Sequence, residues 1–330
     1  MSLFIQNKMK KAEIGGEFWD IPIQKNDNLL FPAETCWFVS GRSALKAILK
    51  ENHFKTAAIP VWCCESMIKP FIDSHITVTF YVDRLPKTDV ALVMDHFGYS
   101  SNDLAYEGFN GTIIRDLTHS FLSKSYHDAD YYFGSLRKWA GFWTGGFAWG
   151  FRNQIQYQSC DTKYSDYIDL RKEAMSQKEN YINGIISSKE YLNLFSQAES
   201  ILDGLDVSPA EERDIEFAKK LDIDFIKTKR RNNAEILRKA FSDNIIFKSL
   251  DKDDCPMFVP IRIKNRDEWR AYLIQNEIYC PIHWPVSYYH QLKGSTKQLY
   301  EEELSLVCDQ RYCATDMERM IETIRIFERR

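Results

Sequence analysis

The chain has 330 residues, 44% of them hydrophobic and 27% charged, which is typical of a globular protein large enough for one large and one smaller domain. Its net charge is −4 and its basic residues are dispersed, so the charge pattern gives no support for nucleic-acid binding. No apolar stretch approaches the roughly 18 residues of a membrane-spanning helix, and residues 1–11 are too polar for a secretory signal. We therefore expect a cytoplasmic protein with no membrane partner.

The eight cysteines are scattered through apolar contexts with no CxxC pair, which favours reduced, mostly buried thiols over a disulfide framework. Cys308 and Cys313 could join His283 or His290 in a zinc site, but their spacing matches no known zinc finger or ribbon. We therefore predict no metal site.

The first half of the chain alternates helical and strand-like patterns. Residues 43–50 have apolar side chains at helical spacing. Short apolar runs follow, each bounded by Pro, Asp or Gly, at residues 57–61, 76–82, 90–94 and 112–114. Short buried strands separated by crossovers predict a mainly parallel sheet with helices on both faces, an α/β fold.

The second half is richer in amphipathic helix. We predict helices at residues 167–181 and 189–202, and Ser208-Pro209-Ala210-Glu211 is typical of a capping box that opens a helix running to Phe241. The remaining predicted elements are a strand at residues 258–263, a helix at 266–276 and a terminal helix at 315–327. The chain is thus expected to form a large domain over residues 1–210 and a small C-terminal α/β domain, with its connecting helix, over 211–330.

Three residues have the chemistry that pyridoxal phosphate requires of a protein. Lys138 can form a Schiff base with an aldehyde, Asp116 can keep a pyridinium nitrogen protonated, and Ser135 can bind a phosphate. A single lysine is more often a solvated surface charge, and a single aspartate a helix cap. Their order favours the functional interpretation, because Asp116 follows a predicted strand and open α/β sheets bind ligands at the carboxyl ends of strands.

A second segment fits a phosphate. Ser40-Gly41-Arg42-Ser43 stands at the start of the first predicted helix, where backbone N–H groups and the helix dipole favour an anion. Arg42 could add positive charge, although an arginine facing solvent is an equally simple interpretation.

These motifs and their order resemble the DegT/DnrJ/EryC1/StrS family of fold-type I pyridoxal-phosphate aminotransferases, most of which act on nucleotide sugars. The segments that carry the resemblance are Ile14-Gly15-Gly16-Glu17-Phe18-Trp19, Ser40-Gly41-Arg42-Ser43-Ala44-Leu45, Ile59-Pro60-Val61-Trp62, Asp95-His96-Phe97-Gly98, Asp116-Leu117-Thr118-His119, Ser135-Leu136-Arg137-Lys138, Arg262-Ile263-Lys264-Asn265-Arg266-Asp267 and residues 305–312. Two features depart from the family. The chain is shorter than a typical member, and the Asn-Leu segment that usually follows the lysine and reaches across the dimer is not evident.

The resemblance implies a role for each catalytic candidate. Lys138 would form the Schiff base with the cofactor and then move the proton between substrate and cofactor carbons. Asp116 would hold the ring nitrogen protonated, so that the ring accepts electrons. His119 would hydrogen-bond the 3′-oxygen of the ring, although a satisfied buried histidine explains it equally well.

The resemblance also implies the residues that bind cofactor and substrate. Ser135 and the loop Ser40, Gly41, Arg42 and Ser43 would bind the phosphate. Trp62 would stack on the ring, unless the loop is shifted by two residues and Cys64 takes that place. His283 and Trp284 would lie near the substrate, although a buried turn explains them as well.

The resemblance implies a fold-type I architecture, with a large domain built on a mainly parallel seven-stranded-type sheet, and a homodimer with an active site at each two-fold interface. It implies a transaminase that uses an amino acid to aminate a keto-sugar, nucleotide-linked, in nucleotide-sugar and polysaccharide biosynthesis. A dehydratase of this family would have histidine in place of Lys138. A non-sugar transaminase, a lyase and a non-catalytic cofactor-binding scaffold remain open alternatives.

The segment over residues 144–150 bears on the expected dimer. It is glycine-rich, apolar and aromatic, so we expect it to be covered, either by a symmetric interface or within the large domain.

Overall fold

The computed structural model describes residues 13–100, 108–123, 128–158, 160–290 and 292–329. The strands are β1 (Ile14–Gly15), β2 (Cys36–Phe38), β3 (Thr56–Pro60), β4 (Thr77–Tyr81), β5 (Val90–Met94), β6 (Thr112–Asp116), β7 (Tyr131–Ser135), β8 (Gly146–Trp149), β9 (Phe258–Arg262), β10 (Ile278–Tyr279) and β11 (Glu303–Val307). The helices are α1 (Gly41–Glu51), α2 (Glu65–Asp73), α3 (Thr162–Ile182), α4 (Tyr191–Gly204), α5 (Glu212–Lys219), α6 (Ile223–Ala240), α7 (Arg266–Gln275), α8 (Gly294–Glu302) and α9 (Ala314–Glu328).

A seven-stranded sheet forms the centre of the molecule, in the order β2-β8-β7-β6-β5-β3-β4. The strands from β7 to β4 pair in parallel, while β8 is antiparallel to both of its neighbours. Strand β5 is buried at all five positions because it lies inside the sheet with both faces covered. The predicted α/β fold with a mainly parallel sheet is confirmed.

The topology brings the site candidates to one edge of this sheet. Since β6 and β7 are parallel, Asp116 and Ser135, their last residues, lie at the same end. A short 3-10 turn follows β7 and ends at Lys138. Helix α1 begins here too, and Gly146 of β8 permits the close approach, because a Cβ atom there would collide with the carbonyl of Ser40.

A second hydrophobic core is formed by β9, β11, α6, α7 and α9. Strand β9 pairs with β11 in antiparallel orientation, and β1 pairs with β10, so that Ile14 from the N-terminal region enters this core. Helix α6 contributes to two cores, since Ile226 belongs to the buried cluster that contains Trp139, whereas Leu237 packs in the second core. The domain boundary at residue 210 stays a prediction.

The polypeptide after Lys138 is tied to the second core by direct contacts. Gln310 donates from Nε2 to the carbonyl of Trp139 at 2.6 Å. The guanidinium of Arg230 lies 4.4 Å from the centroid of the Trp139 ring and donates to Gln310 at 2.8 Å. The turn that carries the lysine therefore takes part of its support from residues near the C-terminus.

The predicted capping box at residues 208–211 is wrong. Ser208 donates its N–H to the hydroxyl of Ser43 at 2.9 Å, its carbonyl accepts from Val39, and Pro209 forms a bridge with Phe38. These bonds hold the segment extended beside β2, so the helix begins only after Glu211. The chain then breaks between α5 and α6, where Asp222 caps α6 by accepting from Phe225 at 3.1 Å.

The glycine-rich segment over residues 144–150 is covered by the protein itself. Strand β8 lies between β2 and β7, and Phe147 is fully buried. Trp149 stacks on Tyr132, with ring centroids 5.1 Å apart. The segment is therefore covered within the protein and not by a symmetric interface, so it gives no support for a dimer.

All eight cysteines are free thiols. Within the described ranges, no helix is long and apolar enough to cross a membrane. Among the same residues, no three His, Cys, Asp or Glu side chains are grouped so that they could hold a metal ion.

Candidate active site

A cavity of about 170 Å³ lies at the carboxyl edge of the sheet, between β6, β7 and the start of α1. Most of the predicted site residues line it. Its walls include Ser40, Gly41, Arg42, Cys64, Ser66, Asp116, Thr118, His119, Ser135, Arg137, Lys138 and Trp284.

Asp116 is the buried acid of the cavity. Its side chain accepts a hydrogen bond from the backbone N–H of Thr118 at 2.7 Å, and only 3% of the residue is exposed. Burial raises the pKa of this carboxyl to about 6, because the charged form has lost its water; the bonds to Thr118 oppose the shift and the charge of Asp95 adds to it. A cation bound in the cavity would restore the charged form of Asp116.

Lys138 is the one long cationic side chain of the cavity that is exposed. Within the described part of the chain it makes no hydrogen bond or ion pair, so its amine is available to a ligand. Its charge nevertheless acts on its surroundings. Burial raises the pKa of Glu199, but the positive charges of Arg137, Lys138 and Arg42 outweigh it. Together they lower the pKa of Glu199 to about 2.

His119 is a buried neutral imidazole. Phe97 donates its backbone N–H to Nδ1 at 3.3 Å, which places the ring proton on Nε2. Burial lowers the pKa of His119 well below its usual range, and the nearby His283, His96 and Lys138 add to the effect. His119 can therefore donate one hydrogen bond from Nε2 and remain uncharged.

The predicted phosphate loop is only partly in place. Ser40 caps α1 by accepting from the N–H of Ser43 at 3.2 Å, and Ser40 and Gly41 line the cavity together with Ser135. Ser43 does not line it, because its hydroxyl is bonded to the backbone of Asp206 and Ser208.

Sequence reasoning missed an acidic residue beside the loop. Glu199 of α4 accepts from Arg42 at 2.8 Å and pairs with the buried Arg137, while Asp203 also pairs with Arg42. Both arginines of the cavity are thus already neutralised, which leaves the N-terminus of α1 and the amine of Lys138 to attract an anion. No sequence signal identifies Glu199, which lies 157 positions after Arg42.

Trp62 does not lie where the resemblance implies. It faces a different cavity and stacks on His96, with ring centroids 4.7 Å apart, while its Nε1 donates to the carbonyl of His283 at 2.6 Å. The loop turns into α2 after Trp62, and Cys64, the residue before that helix, lines the site cavity. Of the two residues that the sequence offered for the stacking position, Cys64 lines this cavity and Trp62 does not.

The two substrate candidates differ in position. Trp284 lines the cavity and stacks on His119, with ring centroids 5.5 Å apart and an interplanar angle of 21°. His283 lies behind it, 5.8 Å from His119 between ring centroids, and burial with the charge of Lys138 lowers its pKa to about 3.

The fold of this chain is similar to that of several solved structures. No family model and no curated protein matches the sequence. A DegT DnrJ EryC1 StrS aminotransferase from Brucella abortus is similar in structure, with 14% identity and a TM-score of 0.55, covering 89% of this chain and 85% of the other. DesI, in the presence of its TDP-sugar product, has 11% identity and a TM-score of 0.60, covering 88% of this chain and 80% of the other. NtdA from Bacillus subtilis, with bound cofactor PMP, has 13% identity and a TM-score of 0.58, covering 90% of this chain and 73% of the other.

The sheet order, with its single antiparallel strand, and the lysine turn after β7 define the fold of a fold-type I pyridoxal-phosphate transferase. The chain shares this fold with the DegT DnrJ EryC1 StrS aminotransferase from Brucella abortus, with DesI and with NtdA. The α/β fold with a mainly parallel seven-stranded sheet, which the sequence motifs implied, is confirmed.

Proposed function

We propose that this protein is a pyridoxal-phosphate-dependent aminotransferase that aminates a keto-sugar, nucleotide-linked, with an amino acid as amino donor. The observation that carries the proposal is the single cavity that brings Lys138, Asp116 and His119 to the N-terminus of α1. These groups come from three separate stretches of chain, and one ligand in the cavity could contact all of them.

The residues of the cavity fit the cofactor. The unpaired amine of Lys138 would hold the aldehyde carbon, and the carboxyl of Asp116, buried without a cation, would pair with the ring nitrogen. The Nε2–H of His119 would donate to the ring oxygen, and Ser40, Gly41 and Ser135 would bind the phosphate. When bound, the cofactor supplies an electron sink for the carbanion formed at the substrate.

The space beside the cavity supports a substrate larger than an amino acid. A second cavity of about 530 Å³ adjoins the first, since both are lined by Arg42, Cys64, Ser66 and Trp284. Its walls also carry Lys46, Lys69, Glu65 and Asp73, a mixture of charges suited to a polar substrate. The TDP-sugar product of DesI is the basis for proposing a nucleotide-linked sugar here.

A homodimer and a cytoplasmic location complete the proposal. The dimer is proposed from the resemblance to fold-type I enzymes, which build each active site at a two-fold interface. The eight free thiols support a reducing compartment.

Borohydride labelling tests the cofactor and its attachment together. Protein loaded with pyridoxal phosphate and reduced should carry the pyridoxyl mass on the peptide that contains Lys138, and the visible absorbance should disappear. Lys138→Ala should abolish labelling, whereas Lys163→Ala, a change at an exposed lysine, should leave it unchanged. A label on another lysine would refute the proposal.

Turnover separates the enzyme from a scaffold that only binds the cofactor. Labelled protein that aminates no keto-sugar, with or without a nucleotide, would favour the non-catalytic alternative. Activity on simple 2-oxo acids alone would favour the non-sugar transaminase.

A further inference from the structure

A short chain of hydrogen-bonding groups lies behind the wall of the cavity. The hydroxyl of Ser305 is 2.5 Å from Oε1 of Glu303 and 2.8 Å from Nδ1 of His283. The other carboxyl oxygen, Oε2, accepts the backbone N–H of His283 at 2.7 Å. Glu303 and Ser305 are both fully buried, so no solvent replaces these partners.

Few groups stabilise the charged form of the Glu303 carboxyl. Burial raises its pKa to about 8, against the opposing effects of Ser305, the N–H of His283 and Arg266. The guanidinium of Arg266, at the start of α7, donates from Nη1 to backbone carbonyls, including that of Glu303. The side chain of Glu303 can therefore be either neutral or charged within the usual working range of an enzyme.

The two states of Glu303 require two arrangements of protons. When Glu303 is neutral, Oε1–H donates to Ser305, Ser305 donates to Nδ1 of His283, and the imidazole carries its proton on Nε2. When Glu303 is charged, Ser305 donates to Oε1 and accepts from Nδ1–H, so Nε2 is left as an acceptor. Between the two states one proton leaves at Nε2, two protons shift along the chain, and one negative charge appears on Glu303. His283 is neutral in both states, as its low pKa requires.

The far end of the chain lies against the wall of the candidate active site. His283 is partly exposed, unlike Glu303 and Ser305. Its ring lies 5.8 Å from that of His119, and Trp284, the next residue, forms part of the cavity wall. The charge of Lys138 also contributes to the lowered pKa of both His119 and His283.

We propose that Glu303 and Ser305 are positioning residues that set the tautomer of His283, so that Nε2 presents a proton donor or a proton acceptor to the active site according to the charge on Glu303. This inference rests on the proposed function for its use. Replacement of a keto oxygen by an amino group expels that oxygen as water, a step that consumes a proton. The relay delivers one proton at Nε2 without ever creating an imidazolium next to Lys138.

The tautomer can be observed directly, without turnover. The cofactor-loaded protein, labelled with ¹⁵N-histidine, should show a His283 imidazole that carries its proton on Nε2 at pH 6.5 and on Nδ1 at pH 9.5. With seven histidines in the chain, His283→Asn assigns the signal. His290 is an internal control, since its Nδ1 contacts Ser287 at 3.0 Å and the structure shows no bond from Ser287 to a carboxylate among the described residues.

Two variants separate the relay from simple packing. Glu303→Gln keeps both hydrogen bonds but resembles the neutral acid permanently, so His283 should hold its proton on Nε2 at every pH. Ser305→Ala disconnects the two side chains, and the pH-dependent exchange of tautomers should disappear. A wild-type tautomer that is the same at both pH values, or an exchange that persists in Glu303→Gln, would overturn the proposal.

Turnover is a separate readout. The wild-type kcat should change across pH 8, and Glu303→Gln should lose this inflection while its KM stays within about twofold. If the tautomer switch is present but no keto-sugar is aminated, the proposed function fails and the relay stands. If amination occurs and the tautomer is fixed, the relay fails and the function stands.

Discussion

At the residue scale, Asp116 carries the sharpest prediction about chemistry. Asp116→Asn keeps the shape of the side chain and one acceptor for the N–H of Thr118, so the fold should persist. The charge that would hold the ring nitrogen protonated is lost, and kcat should fall by about 10²–10³-fold, the usual effect of removing one electrostatic stabiliser. Steady-state kinetics with circular dichroism as the folding control measures this, and near-normal turnover would remove Asp116 from the site.

The same carboxyl predicts how cofactor binding depends on pH. Without the cofactor, burial raises the pKa of Asp116 to about 6, and a bound pyridinium would lower it again. Affinity should therefore be constant well above pH 6 and weaken as the pH falls through 6, because binding must then first remove a proton from Asp116. Equilibrium dialysis over pH 5–8 tests this, with Asp116→Asn expected to bind weakly and with a flatter profile.

At the scale of elements, the contact between β8 and α1 positions the phosphate end of the site. Gly146→Ala would drive a methyl group into the backbone of Ser40, and neither strand nor helix cap can move freely. We expect a loss of about 3 kcal/mol in the free energy of unfolding, at the upper end of overpacking effects, together with weaker cofactor binding. Urea unfolding and cofactor titration measure the two effects.

A matched control for that substitution lies in α4. A methyl group at Gly204 would meet nothing within 4 Å. Because alanine favours helix over glycine, Gly204→Ala should be neutral or stabilise by up to about 1 kcal/mol. Equal losses in both variants would show that glycine itself, and not the approach to Ser40, is responsible.

The elements also show what could be predicted from the sequence. Strand β5 was predicted to the residue because a buried parallel strand is a continuous apolar run bounded by breakers. The late start of α5 was missed because Ser208 and Pro209 suit a helix start locally. The bonds that hold Ser208 extended, to the hydroxyl of Ser43 and the N–H of Val39, are made across about 165 residues. The positions of Asp116 and Lys138 followed from strand order, whereas Trp62 depended on a loop shape that no periodicity encodes.

At the scale of the whole molecule, the buried Glu303 predicts how stability varies with pH. Its pKa is raised from 4.5 to about 8 on folding, so the native state binds a proton that the unfolded chain releases. That contribution is complete below pH 4.5 and is lost as the pH rises through 8. Relative to Glu303→Gln, which cannot titrate, the wild type should therefore become less stable between these values. Urea midpoints at pH 5 and pH 8.5 give the comparison, and parallel profiles would contradict it.

The bond from Gln310 to the carbonyl of Trp139 joins positions 171 residues apart. During synthesis, Lys138 leaves the ribosome long before Gln310, and the lysine turn lacks this support, together with the link from Arg230 to Gln310, until Gln310 has emerged. Asp116, Ser135 and the start of α1 are all available earlier. A nascent chain could thus build most of the cavity but would hold its lysine in place only once Gln310 has emerged, so stable capture of the cofactor should not precede that point of synthesis.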